Sequence, residues 1–272
     1  MLGRRASRGI RLAPERAWRR AGLSYPGPIA YNSLMNNWLA RDYNGPALQL
    51  FGPAHLGALA TIVLAVVGLW LTLRRGVSPR ASEAIRWTLC GLCLLSQLSW
   101  DAWQRAVGIW QVSYSLPLHI CTLSVVLCAL MLATRSYALY QVLYFWGWAG
   151  ATQALLTPDV LYGFPHLAYW IFFSSHASIY LALVYMTVTY RYRPTWRSLL
   201  IAFVAVNLLM IPVGLVNWLT GANYMFIARP PGAVSLLDLL GPWPWYLLAV
   251  QPIALLVFVL CYLPWAFRRN RE

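Results

Sequence analysis

The stretch AHLGALATIVLAVVGLWLTL, residues 54–73, holds one histidine and no charged side chain in twenty residues. A bilayer core takes about 20 apolar helical residues per crossing, so this stretch reads as a membrane-spanning helix. Six further stretches read the same way: Ala84–Trp103, Leu116–Thr134, Ala138–Thr157, Leu167–Tyr190, Leu199–Thr220 and Trp243–Pro264. Short loops join most of them and no internal repeat is visible. The expectation is an all-α polytopic membrane protein, a single bundle of seven transmembrane helices over residues 35–272.

Composition agrees. The chain of 272 residues is 60% hydrophobic and only 10% charged, where soluble domains carry about a quarter charged residues. All of its 21 basic residues are arginines, and they give a net charge of +14. They cluster at the ends of the apolar stretches, where anionic lipid and topology account for them, so no nucleic-acid partner is expected. The five cysteines all fall in apolar segments, which argues against a disulfide framework. Cys90 and Cys93 form a CxxC with no partner pair, so neither a metal nor a cofactor is expected.

Residues 1–34 are arginine-rich and lack an apolar core long enough for a signal peptide. They read either as a basic disordered arm or as an extension upstream of a start at Met35. Beyond them, eleven arginines flank the loops after spans one, three and five and the C-terminal tail, against Arg41, Arg105 and Arg229 on the other side. That bias predicts a multi-pass plasma-membrane protein with a cytoplasmic C-terminus.

Polar side chains inside the spans gather towards the outer side. Asp101 and Gln97 lie near the end of span two, and His119 and Cys121 open span three. Gln153 closes span four, Asp159 and His166 follow it, and His176 lies about 13 Å into span five. Asn217 ends span six, with Asn223 and Tyr224 after it, and His55 begins span one. The inner half offers Gln141 and Asn207. Taken singly, such a residue is more often a helix-packing hydrogen bond, worth about 1 kcal/mol, than a catalytic group. His119 and the mid-span His176, on a face with Ser174, Ser175 and Ser178, favour function. Taken together, they predict a pocket opening outward, with His119, His176 and Cys121 as candidate catalytic groups. Asp101, Gln153, Asp159, Asn217, Asn223 and Tyr224 are the candidate substrate-binding groups.

The stretch SLPLHIC, residues 115–121, holds the most reactive of these. Pro117 suits a first helical position, since its missing N–H would be unpaired there. On a helix, His119 and Cys121 are about 200° apart and do not face each other. Cys121 then needs a base from another helix, with His176 or His166 as candidates, and it shares a stripe with Leu118, Ser124 and Cys128.

The blocks LPLHIC, FWGWAGATQALLTPD, SSH, GLVNWLTGANYMF and LLDLLGPWPWY resemble, in order and spacing, the YwaF-like integral membrane proteins of bacteria, from about Met35 to Pro264. More distantly they are similar to eukaryotic transmembrane protein 164, described as an acyltransferase that moves a polyunsaturated acyl chain onto ether lysophospholipid through a nucleophilic cysteine. Its motif reads Asn-Pro-Cys-His. Pro117 and His119 match it, but Leu118 stands at the nucleophile position, and leucine cannot form a thioester. The resemblance implies membrane lipids as partners, a lysophospholipid or an acyl donor among them.

Three readings follow. The first is a phospholipid acyltransferase-like enzyme, with His119 and His176 as bases and Cys121 as an optional nucleophile. The second is a non-enzymatic binding protein or transporter for a lipid or amphiphile. The third is a structural partner subunit.

Overall fold

The computed structural model describes residues 37–231 and 236–269. The reading of residues 1–34, and of Met35 as a start, lies outside the described residues. Seven helices follow the seven expected spans: α1 (Pro53–Arg75), α2 (Pro79–Ala106), α3 (Ile120–Thr134), α4 (Tyr137–Phe145, carried on through a π-turn at Trp146–Ala151 to Thr152–Leu156), α5 (Leu167–Thr189), α6 (Trp196–Thr220) and α7 (Trp245–Arg269). Four of them, α1, α5, α6 and α7, are long and apolar enough to cross a membrane. The chain is an all-α polytopic membrane protein.

Local chemistry sets most helix ends. Proline occupies the first turn of α1 and of α2, where it costs no hydrogen bond. The Ser78 hydroxyl accepts from the Ala81 N–H at 3.2 Å and the Ser136 hydroxyl from the Leu139 N–H at 3.3 Å. Thr195 and Ser198 cap α6 reciprocally, and Gly221 ends it in the left-handed conformation at φ 70°.

α5 is the centre of the bundle. It packs against α1, α2, α3 and the π-turn of α4, and its buried side chains include Ile179, Leu183, Tyr185 and Met186. The π-turn lies against it at Gly147, where an added Cβ would stand 2.6 Å from Leu183 and 2.7 Å from Ile179. Glycine here leaves room for the Leu183 and Ile179 side chains, which a Cβ would displace. Cys93, Cys128, Met131, Leu143 and Phe145 complete the core. The CxxC thiols are free and buried, with the Cys90 thiol donating to the Ala129 carbonyl at 3.4 Å.

The far end of α3 is locked by Arg86 of α2, buried to 3% exposure. Its guanidinium donates to the Leu132 carbonyl at 2.6 Å and the Ala133 carbonyl at 3.3 Å, both left open by the end of the helix. Glu83 neutralises it at 2.7 Å and also takes Arg135 at 3.1 Å. A cation at a helix C-terminus also meets the negative end of the helix dipole.

Two substitutions test this frame by thermal unfolding in detergent. Gly147→Ala should lower stability by about 1–3 kcal/mol through overpacking. Arg86→Met should cost about 1.5–3 kcal/mol, the worth of hydrogen bonds from a charged donor.

Candidate functional site

α3 begins at Ile120, three residues later than Pro117 predicts, and Leu116–His119 form a non-helical turn. This turn is held from above. The Leu116 N–H donates to the Tyr224 hydroxyl at 2.9 Å, and that hydroxyl donates to the Val112 carbonyl at 2.5 Å. Tyr224 is itself fixed to α6 by Asn217, whose amide donates to the Tyr224 carbonyl at 3.0 Å and accepts the Tyr224 N–H at 2.8 Å. Pairing satisfies both groups of the buried Asn217 amide, so Asn217 and Tyr224 build the site's walls. Asn223 closes the following loop, accepting from the Ala228 and Arg229 N–H groups at 3.1 Å and donating to the Arg229 carbonyl at 2.9 Å.

Met225 and Phe226 both adopt positive φ, 56° and 54°, rare for residues with a Cβ. This conformation carries the Met225 N–H to Nδ1 of His119 at 3.4 Å. The ring lies between Tyr224 and Phe226 at centroid distances of 5.3 and 5.4 Å. With Nδ1 as acceptor, the neutral imidazole carries its proton on Nε2. His119 therefore presents an N–H at the start of α3, where no side chain caps the helix. Asp159, exposed in the loop after α4, is close enough to act electrostatically on His119 and on Tyr114.

Because residues 116–119 are not helical, Leu118 does not stand one turn above Cys121 on a common stripe. Leu118 packs instead with Val213, Ala222 and Tyr224. Cys121 is the second residue of α3 and faces the π-turn, where a Cβ on Gly150 would stand 3.9 Å from its sulfur. Next to it, the Tyr180 hydroxyl bonds Thr152 at 2.8 Å, and Thr152 donates to the Trp148 carbonyl at 2.5 Å. Since Thr152 spends its proton on that carbonyl, Tyr180 is the donor between the two. Tyr180 and Thr152 are the residues that sequence reasoning missed. Their signal was the glycine-rich WGWAGA run, whose π-turn opens the backbone at this point, as π-turns at functional sites do.

The histidines divide into distinct roles. His55 is fully buried, with Nδ1 accepting from the Phe51 N–H at 2.9 Å and Nε2 donating to the Leu155 carbonyl at 2.8 Å. His166 has both ring nitrogens committed as well, accepting from the Ala168 N–H at 3.0 Å and donating to the Ala40 carbonyl at 3.1 Å. It offers no lone pair to Cys121. His176 donates from Nδ1 to the Phe172 carbonyl at 2.7 Å, and its Nε2 is buried without a hydrogen-bond partner. The four imidazoles thus yield one uncommitted N–H, at His119, and one uncommitted lone pair, at His176.

Asp101 is engaged elsewhere. Its carboxylate accepts from Arg105 at 2.8 Å and from the Trp110 indole at 2.5 Å. Asp101, His119 and His176 do not hydrogen-bond one another. Gln153 is exposed and donates to Thr157 at 2.9 Å. Together with Thr152 and Trp148 it edges a groove of about 580 Å³ between α4 and α7, otherwise lined by apolar residues that include Leu156, Val257 and Leu260. Among the described residues, no group of three or more His, Cys, Asp or Glu is placed to hold a metal ion.

Tyr224→Phe should leave the Leu116 N–H and the Val112 carbonyl unpaired. The expected loss is about 1–3 kcal/mol of stability, read as a lower unfolding temperature in detergent.

A family model described as the TMEM164 family matches residues 50–262. A protein of Treponema pallidum (strain Nichols), described as uncharacterized, is 29% identical over 224 residues, covering 79% of this chain and 88% of the relative. No solved structure matches.

Proposed function

The chain belongs to the TMEM164 family, and on that premise we propose that it is a lipid-modifying, acyltransferase-like membrane enzyme whose site opens to the outer leaflet. The observation that carries the reading is the uncapped start of α3, where His119 Nε2–H and the Cys121 thiol lie within one turn. Unsatisfied N–H groups of a first helical turn favour negative charge. An ester carbonyl placed there would develop its oxyanion towards those donors and towards His119.

Leu118 removes the nucleophile of the resembled motif, so transfer runs without a thioester at that residue. The hydroxyl of a lysophospholipid attacks the donor's ester carbonyl carbon. Its proton goes to an imidazole lone pair, the donor's C–O bond breaks, and the departing alkoxide takes a proton back. His176 Nε2, the one uncommitted imidazole lone pair, takes the base role once substrate reaches its buried position, and His119 serves as the oxyanion donor. The groove between α4 and α7 seats an acyl chain, with Gln153 and Thr152 at its polar edge. The C-terminus lies on the cytoplasmic face, in keeping with the arginine bias.

A second reading is a binding protein for a lipid or amphiphile. It draws on the lack of any hydrogen-bonded base for Cys121 among the described residues and on the apolar lining of the groove.

The test is acyl transfer between phospholipid and lysophospholipid by the purified protein in nanodiscs, followed by mass spectrometry. His119→Ala and His176→Ala should each lower turnover by about 100-fold or more, while Cys121→Ser retains it. Loss of turnover in Cys121→Ser alone would move the chemistry to the thiol. Lysophospholipid binding with no turnover in the unaltered protein would establish the binding-protein reading.

A further inference from the structure

Residues 39–47, ahead of α1, run across the end of the bundle as a strap held mainly through its carbonyls. The Trp103 indole donates to the Leu39 carbonyl at 3.0 Å, His166 Nε2 to Ala40 at 3.1 Å and the Tyr162 hydroxyl to Arg41 at 3.0 Å. Further along, the Gly163 N–H donates to the Pro46 carbonyl at 3.1 Å. A Cβ on Gly163 would stand 2.4 Å from that oxygen, so the strap and the α4–α5 loop meet backbone to backbone. Most of the strap is exposed, from Asp42 to Ala47 with Tyr43 half-buried. Little apolar burial therefore holds it. Three consecutive carbonyls, at Leu39–Arg41, anchor one end. The Gly163–Pro46 bond, the Ala47–Tyr162 bridge and the Tyr43 hydroxyl on the Phe164 carbonyl at 3.3 Å hold the rest.

We propose that His166 is a pH-sensitive latch, whose protonation releases this strap and loosens the α4–α5 loop. The ring has one lone pair, on Nδ1, and that lone pair accepts the Ala168 N–H at 3.0 Å. A proton added there sets two donors against each other at the start of α5. Relief requires the ring to turn, and turning withdraws Nε2–H from the Ala40 carbonyl. The imidazole has no room to turn in place. It is fully buried, stacked on Tyr162 at 4.1 Å, with Tyr43 at 4.9 Å and Trp103 edge-on at 5.5 Å.

None of the facing groups supplies a negative charge to a buried imidazolium. α2 presents an uncharged indole, and Tyr43 and Tyr162 are neutral phenols. On the strap, Arg41 and Asp42 act on Tyr162 with opposite signs. Burial accordingly pushes the His166 pKa down from the ordinary histidine value, and its bond to Ala40 opposes this only in part. The sign follows. A depressed folded pKa means that the latch contributes fully above about pH 6.5 and is lost as pH falls through the folded value.

The α4–α5 loop also carries Asp159, which acts on His119. Loosening of the loop therefore lets this exposed charge shift relative to His119. The latch rests on the fold alone, and its failure would leave the enzyme reading untouched.

Hydrogen exchange of the full chain in nanodiscs, corrected for the intrinsic pH dependence of exchange, tests it. Between pH 7.5 and pH 5, protection of residues 39–47 and 160–166 should fall, at the steepest tenfold per pH unit. Protection within α5 below its first turn should stay constant. His166→Asn keeps an acceptor for the Ala168 N–H and removes the titration, so its strap protection should not change with pH. Strap protection that is constant across this range in the unaltered chain overturns the proposal. So does a pH-dependent loss that persists in His166→Asn. Should that variant fail to fold, the unaltered chain still decides: its transition must lie below the ordinary histidine pKa and spare α1.

Discussion

Backbone carbonyls that leave a helical ladder in an apolar surround must find donors, and this fold satisfies that demand with aromatic and imidazole side chains. Tyr137 donates to Arg193 and Tyr192 to Arg135, while Tyr169, Tyr144 and Trp146 add a second bond to the helical carbonyls of Ala54, Cys261 and Ala202. In the turn after α6, Trp243 donates to Ile227 and Tyr246 to Phe226. The chain is 15% aromatic, and much of that content stitches one helix end or turn to another. Trp and Tyr at span ends are ordinarily anchors in the membrane interface. In the block GPWPWY, the exposed Trp245 suits that role, while Trp243 and Tyr246 hold down the turn that positions His119.

The same demand sorts the polar residues of the spans. His55 and His166 satisfy two backbone groups each and so are structural. His119 and His176 each commit only one nitrogen to the backbone, with opposite tautomers as a consequence. One offers an N–H, the other a lone pair. A pairing rule for the backbone thus separates the chemically available imidazoles from the occupied ones. It also places the strained turn at Met225 and Phe226 beside the start of α3, since that turn delivers the N–H that fixes the His119 tautomer.

The π-turn is a second place where structure and chemistry meet. Gly147 brings α4 against α5, while Gly150 leaves space on the side of Cys121. Just beyond them Thr152, which edges the α4–α7 groove, donates to the Trp148 carbonyl and accepts from the Tyr180 hydroxyl.

Periodicity and length were enough to find all seven helices, because twenty apolar residues with polar ends have one stable form in a bilayer. That His119, Cys121, Asn217 and Tyr224 share one end of the bundle was legible for the same reason: depth along a helix follows from counting residues. Which way the side chains turn was not. Pro117 looked like a helix start, yet the bonds from Tyr224, more than a hundred residues away, hold that segment as a turn and move the start to Ile120. Asp101 looked like a site carboxylate until Trp110, brought back by the loop after α2, took it with Arg105. The sequence by itself determined how many helices there are and which residues share an end of the bundle. Only the tertiary structure decided which nitrogen of each histidine is free, because a tautomer is set by the backbone group opposite the ring, and that group comes from a distant part of the chain.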